Sequence, residues 1–264
     1  MTALNGQALA GRVVLVSGGT QGVGAAAARR VLQAGADAVM VTGRDPNRGE
    51  ACLAGLRSLG RPAAFRPVDV ADVDQAAGSV AAAIEEFGRV DCVVNCAGLV
   101  TRGTLLDTAP DHFDAHIAVN LRAPFFIMQA AVRHFLERQV PGSIVNISSI
   151  SSHGSQAFLA PYVAAKAGLN ALTKNAAHAH RFDRIRINAL NIGWTATEGE
   201  DAIQRAAHGA TDGWLERAGA DLPMGGLGQP DQIADMVAFL LSDASGVVTG
   251  AVLDWDQIVV GAWD

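Results

Sequence analysis

Apolar positions gather in short β-branched runs, separated by longer alanine-rich stretches. The run Val13-Val-Leu-Val16 has no polar position to turn toward water, which predicts a strand covered on both faces. An alanine-rich helix is predicted over 24–34, a second strand over 38–42, a helix over 47–59 and a third strand over 63–68. Asp72 suits the N-cap of a helix over 72–87, and a fourth strand follows over 91–95. The stretch 111–138 reads as one long helix, or two joined near Pro124. Then come a strand over 143–147, a helix over 160–180, a strand over 185–190, a helix over 231–241 and a last strand over 251–254.

Strand and helix alternating from end to end require parallel βαβ crossovers. The predicted fold is α/β: one doubly wound sheet of about seven parallel strands with helices on both faces, a single domain over 1–264. No linker, repeat or low-complexity segment divides it. The stretch 193–228 lacks the pattern and is expected to be a long irregular lid, since connections of that length are usually functional.

Composition narrows the function. Half the residues are apolar and 17% are charged, which excludes a disordered or coiled-coil chain. A net charge of -6 argues against nucleic-acid or anionic-membrane partners. No apolar run is long enough for a membrane span, and residues 1–11 lack the basic and apolar regions of a signal peptide, so a cytoplasmic location is expected. Cys52, Cys92 and Cys96 form no C-x-x-C pair and have no histidine at ligand spacing, so reduced thiols and no metal are expected.

Two clusters carry chemistry. After the first strand comes Ser17-Gly-Gly-Thr-Gln-Gly-Val-Gly24, leading directly into a helix. Glycines there serve a plain tight turn or let the backbone approach a pyrophosphate at the positive end of the helix; the strand-turn-helix setting favours the phosphate. Farther on, Tyr162 and Lys166 stand one helical turn apart on one face. The chain has only one Tyr and only two Lys, so the pairing asks for a reason. A free phenol is too weak an acid to act as a base at neutral pH, and a neighbouring cation would lower its pKa. Without other support, the pair would be a solvated helix face.

Taken in order, these features resemble the short-chain dehydrogenase/reductase family. The turn 17–24 is similar to that family's T-G-x-x-x-G-x-G, with Ser for Thr, and Asp69-Val70 to its adenine-binding acid. Asn95-Cys-Ala-Gly98 is similar to its N-N-A-G, with Cys for the second Asn. Ser149, 13 residues before Tyr162, and Asn120 complete the catalytic group that the resemblance implies: Asn120, Ser149, Tyr162 and Lys166. It implies hydride transfer between a nicotinamide and an alcohol or carbonyl compound, with Tyr162 moving the proton and Ser149 polarising the substrate oxygen. Lys166 would bind the nicotinamide ribose and depress the Tyr162 pKa, and Asn120 would hold a water. The dinucleotide would lie on Gly18, Thr20, Gln21, Gly22, Val23, Gly24, Arg44, Asp69, Val70, Asn95, Ala97, Gly98, Ile192, Gly193, Thr195 and Thr197, with Tyr162 and Lys166 shared. A homotetramer built through the helix of Tyr162 is also implied.

An acid ending the second strand would select NAD, and an Arg there NADP. Arg44 in Thr42-Gly-Arg-Asp45 points to NADP, with NAD the alternative, because Gln21 is not basic and Asp45 adds a negative charge. The family's Pro-Gly after the sixth strand is here Ile192-Gly193-Trp194, and its V-D-G-G is Leu253-Asp-Trp-Asp256. Substrate-facing candidates are Ser149, His153, Gln156 and Trp194, with Phe158 and Trp214, which would suit a sugar or polyol. Glu198, Glu200 and Asp201 either contact substrate hydroxyls or, as such clusters more often do, form a solvated face, and His208 reads as a residue without a partner. A non-catalytic dinucleotide-binding module on the same fold is the rival reading, opposed by the intact catalytic group. A serine hydrolase is excluded by the absence of G-x-S-x-G.

Overall fold

The computed structural model describes residues 6–262. Met1–Asn5 and the Trp263-Asp264 end of the C-terminal segment, parts of the expected leaderless start and subunit contact, lie outside the described residues. Seven parallel strands form one sheet: β1 (Val13–Ser17), β2 (Ala38–Gly43), β3 (Ala63–Pro67), β4 (Cys92–Asn95), β5 (Gly142–Ser149), β6 (Ile185–Ile192) and β7 (Val252–Trp255). Their order is β3-β2-β1-β4-β5-β6-β7.

The period-two alternation of strand side chains fills both faces. Val14 and Val16 of β1 join Val94 of β4 in one core, while Leu15 and Val93 point into the other. The first core is closed by α1 (Gly22–Gln33) and α9 (Pro230–Leu241), which meet each other through small side chains such as Ala27 and Ala28, both fully buried. The second lies under α3 (Val73–Phe87), α5 (Ala123–Arg138) and part of α6 (Ala160–Ala179). The chain winds outward from β1 to β3 and crosses back to β4, so the carboxyl ends of β1 and β4 border the crevice where such sheets bind ligands.

Parts of the chain differ from the sequence reading in kind or at their ends. The long helix is interrupted one turn before Pro124: α4 (Pro110–Ile117) passes through a five-residue π turn, Ala118–Arg122, into α5. Pro124 sits in the first turn of α5, but the chain stays helical through Arg122, so its missing N–H leaves a carbonyl of the π turn without a helical donor. β5 and β6 each run two residues farther, to Ser149 and Ile192. The stretch 193–228 is not irregular, for it holds α7 (Glu198–His208) and α8 (Trp214–Ala220). No residue of α7 is fully buried, and its apolar positions, Ala202, Ile203, Ala206 and Ala207, are few and mostly small, so they make a weak signal; Thr197 caps it, accepting from Glu200 N, with acids in the first turn and Arg205 and His208 in the last. The remaining helix, α2 (Pro46–Arg57), is capped by Asp45, which accepts from Asn47 N and Arg48 N.

Candidate active site

The glycine turn is built for close approach. Gly18 has φ +73°, and a Cβ there would lie 2.5 Å from Ala97 N, so β1 can turn against the loop after β4 only with glycine. A Cβ on Gly24 would lie 2.1 Å from Gly18 O, so α1 packs flush onto the turn. Gln21 stands at the N-cap of α1 without capping it, and the first turn of α1 carries no acid, which leaves its N–H groups and positive end for an anion. The Thr197 side chain would be 3.3 Å from a Cβ on Gly22, which brings the 193–228 segment beside the turn.

At the other end of the crevice Arg44 shares a cleft with Pro67, Val68, Asp69 and Gln75. Asp69 Oδ1 accepts from Ala71 N, and Val70 is buried behind it. Asp45 is occupied by its own helix and lies 3.5 Å from Arg48 Nε. Arg48 Nη1 donates to Gln21 Oε1 at 2.6 Å, so a guanidinium stands over the turn although position 21 itself is neutral.

The catalytic candidates converge at the carboxyl ends of β4 and β5. Ser149 ends β5, Tyr162 and Lys166 occupy the first two turns of α6, and Asn120 lies in the π turn; all four are buried. The Ser149 hydroxyl accepts from Ser151 N at 3.1 Å and bears on the Tyr162 phenol, favouring its ionised form. Ser148 instead donates to Lys166 O, which separates the two serines as their spacing suggested. Asn95 is turned into the sheet, where Nδ2 donates to Asn146 Oδ1 at 2.8 Å, while its Oδ1 has no partner. Gly98 backs onto Asn120.

One electrostatic expectation is overturned. Burial pushes the Tyr162 phenol up to about 12; Glu200 and Cys96 add to the rise, and Ser149 and Arg102 oppose it. Lys166 Nζ donates to Ile147 O at 2.7 Å and stands 5.7 Å from the Tyr162 ring centroid, and burial, not the neighbouring cation, dominates the phenol's pKa. Burial brings Lys166 itself down to about 8. At neutral pH the phenol is therefore protonated and ready to give a proton to a carbonyl oxygen.

At the end of β6, Gly193 N donates to Trp255 O at 3.1 Å, and the absence of a Cβ there leaves room for the Asp256 carboxylate. Thr195 Oγ1 donates to Gly193 O, and the Thr195–Gly228 bridge closes the base of the 193–228 segment. Trp194 is partly exposed, 5.9 Å from Trp214, and donates from Nε1 to Glu200 Oε1 at 2.8 Å. Gln156 accepts from Ser151 Oγ. His153 is not with them: its Nε2 is 2.9 Å from Asp254 Oδ1 and 3.3 Å from Asn191 Nδ2, toward the β7 edge of the sheet.

Four contributors escaped the sequence reading. Glu200 is mostly covered and within 3.9 Å of Arg102, not part of a solvated face. Arg102 lies over the Phe158 ring at 5.3 Å and hydrogen-bonds His208, which packs on Phe158 in turn. His116 is fully buried, with its ring 6.2 Å from that of Tyr162. A signal for Glu200 was present: Thr197-x-x-Glu200 has the spacing of a capping box. Arg102, His208 and His116 belong to no periodic pattern. Among the described residues no group of three metal-ligating side chains gathers, and no helix is long and apolar enough to cross a membrane.

Known proteins resemble this chain over most of its length. Residues 18–257 match a protein family described as "Enoyl-(Acyl carrier protein) reductase". An L-rhamnose 1-dehydrogenase (NAD(P)(+)) from Sphingomonas sp. is 35% identical over 246 residues, covering 93% of this chain and 94% of the relative. Among solved structures, an actinorhodin polyketide ketoreductase with NADPH superposes with a TM-score of 0.87 at 30% identity, over 93% of this chain and 96% of that one. An NAD+-bound xylitol dehydrogenase gives 0.86 at 26% identity, over 95% and 99%.

Proposed function

The chain belongs to the short-chain dehydrogenase/reductase family and is an NAD(P)-dependent oxidoreductase, and on that premise we propose that its substrate is a sugar or polyol and that Asn120, Ser149, Tyr162 and Lys166 are its catalytic group. One observation carries the substrate class. Glu200 and Arg102, 3.9 Å apart, both act on the Tyr162 phenol, and Trp194 stands beside them. A carboxylate accepts from sugar hydroxyls, a guanidinium donates to them, and an indole face covers the C–H side of the ring. The rhamnose- and xylitol-oxidising relatives support the same reading.

The glycine turn and the uncapped start of α1 fit a dinucleotide pyrophosphate, because glycine at 18 and 24 lets β1 close on the Ala97 loop and α1 close on the turn, and the first turn of α1 keeps its N–H groups without an acid or a cap. When bound, the nicotinamide supplies or accepts the hydride. Tyr162 then carries the proton of the substrate oxygen, Ser149 holds that oxygen by hydrogen bonding, and Lys166 lies one turn behind the phenol. Thr195, Thr197 and the backbone of Ile192 and Gly193 border the nicotinamide end, and 193–228 is the lid, tied to the body through Arg102–Glu200 and Arg102–His208. A homotetramer is supported by the small exposed residues Ala164 and Ala171 of α6 and by Phe125, 41% exposed on α5.

For the dinucleotide we propose NADP, with NAD also accepted. Arg44 is exposed in the adenine-end cleft, and Arg48 adds a second guanidinium beside Gln21. Arg44→Ala should weaken NADPH binding by roughly ten- to a hundredfold, the worth of one charge-assisted hydrogen bond to phosphate, and leave NADH unchanged. Parallel fluorescence titrations check this; an equal loss for both dinucleotides would reduce Arg44 to an adenine-stacking role. Trp194→Ala should raise KM for the sugar roughly fivefold, an aromatic contact of about 1 kcal/mol, with kcat nearly kept. Initial rates against sugar concentration decide it, and an unchanged KM would remove Trp194 from the substrate site.

A further inference from the structure

The Asn120 amide is clasped by the backbone of Leu99: Oδ1 accepts from Leu99 N at 3.0 Å, and Nδ2 donates to Leu99 O at 2.8 Å. The clasp fixes which end of the amide is the NH2. The second Nδ2 proton faces His116 Nδ1, 3.3 Å away and one turn earlier on α4. Nδ1 must then be the acceptor, which places the ring proton on Nε2. His116 Nε2 donates to Thr101 Oγ1 at 3.0 Å, and the Thr101 hydroxyl proton is left for His112 Nε2 at 2.7 Å. Donor and acceptor roles thus run in one direction, from the π turn to half-exposed His112.

We propose that His116 is a positioning residue of the reaction: as a neutral imidazole it holds the Asn120 amide in place, while Thr101 and His112 fix its tautomer. The proposal rests on Asn120 belonging to the catalytic group. Protonated His116 would turn an N–H against the Nδ2–H of Asn120 and break the contact. The groups bearing on His116 are His112 from its own helix, Thr101 from the loop after β4 and Tyr162 from α6. Burial, and after it the nearby His112, hold its pKa below the usual histidine value. The contact therefore survives at neutral pH and is lost as pH falls through that depressed pKa. A charged His112 repels the proton on His116, so removing His112 raises the His116 pKa and moves the acid limb of the rate to higher pH.

The test uses the full-length enzyme. His116→Phe should lower kcat roughly tenfold, as losing one buried hydrogen bond does, with KM unchanged. His116→Asn, which keeps an acceptor near Asn120, should restore most of it. In an Asn120→Ala background His116→Phe should cost nothing more. His112→Gln should shift the acid limb upward, and nitrogen-15 spectra of the histidines should show His116 as the Nε2–H tautomer at neutral pH. An Nδ1–H or charged His116 overturns the proposal, as does a His116→Phe enzyme with wild-type kcat and acid limb, or a loss that adds to that of Asn120→Ala. The tautomer and His112→Gln decide the matter if His116→Phe does not fold. A fully active Asn120→Ala would instead remove Asn120 from the catalytic group and take the proposal with it.

Discussion

Tyr162→Phe should lower turnover by roughly 10²–10⁴-fold, the usual worth of a positioned acid or base, while dinucleotide binding stays as it was. The substitution removes one oxygen and keeps the ring in its contact with His116. The phenol is buried with its pKa pushed up to about 12, so at neutral pH it is the acid that carbonyl reduction needs. Oxidation needs the deprotonated form. A raised pKa keeps the proton on to higher pH, so the oxidation rate should climb with pH through the neutral and alkaline range while reduction does not. In Tyr162→Phe that climb should vanish. Rates in both directions against pH, with the melting temperature measured alongside, separate loss of chemistry from loss of fold. A variant that keeps its activity would place the proton transfer elsewhere.

Gly24→Ala should abolish dinucleotide binding and lower stability by about 1–3 kcal/mol, the cost of forcing extra atoms into a packed site. The new Cβ would stand 2.1 Å from Gly18 O, a backbone atom that no rotamer change can clear. Either α1 withdraws from the turn or the turn itself opens, and both move the helix N-terminus away from the pyrophosphate. Gly55→Ala is the control: it lies in α2 with open space around its Cβ, and should be neutral or slightly stabilising. Denaturant unfolding and NADPH titration of both variants check the pair. Wild-type affinity in Gly24→Ala would contradict the placement of the pyrophosphate.

The fold was legible because the central strands are buried on both faces, so Val13–Ser17 and its neighbours β2 and β4 read as apolar runs. The glycine turn and Tyr162–Lys166 were legible because close approach and a one-turn spacing leave local marks. What escaped depends on distant parts of the chain. No residue of α7 is fully buried and its apolar side chains are few, so its Thr197 cap was the clearest mark of it. Arg102, Glu200 and His208 meet across the lid from segments about a hundred residues apart, and no local pattern joins them. Lys166 was expected to lower the Tyr162 pKa, but burial raises it, and the Lys166 ammonium donates a hydrogen bond to the Ile147 carbonyl near the end of β5. Asp45 was expected to oppose a phosphate, yet it caps α2. His153 was expected at the substrate, but β7 supplies Asp254 as its partner.

The most direct test follows the reduction of NADP+ and NAD+ across a panel of aldoses, aldonates and polyols, with Tyr162→Phe assayed beside the unaltered enzyme. At least one polyhydroxylated compound should yield reduced dinucleotide with the unaltered enzyme and none with the variant. Turnover confined to apolar alcohols would contradict the substrate class, and equal turnover by Tyr162→Phe would contradict the catalytic centre itself.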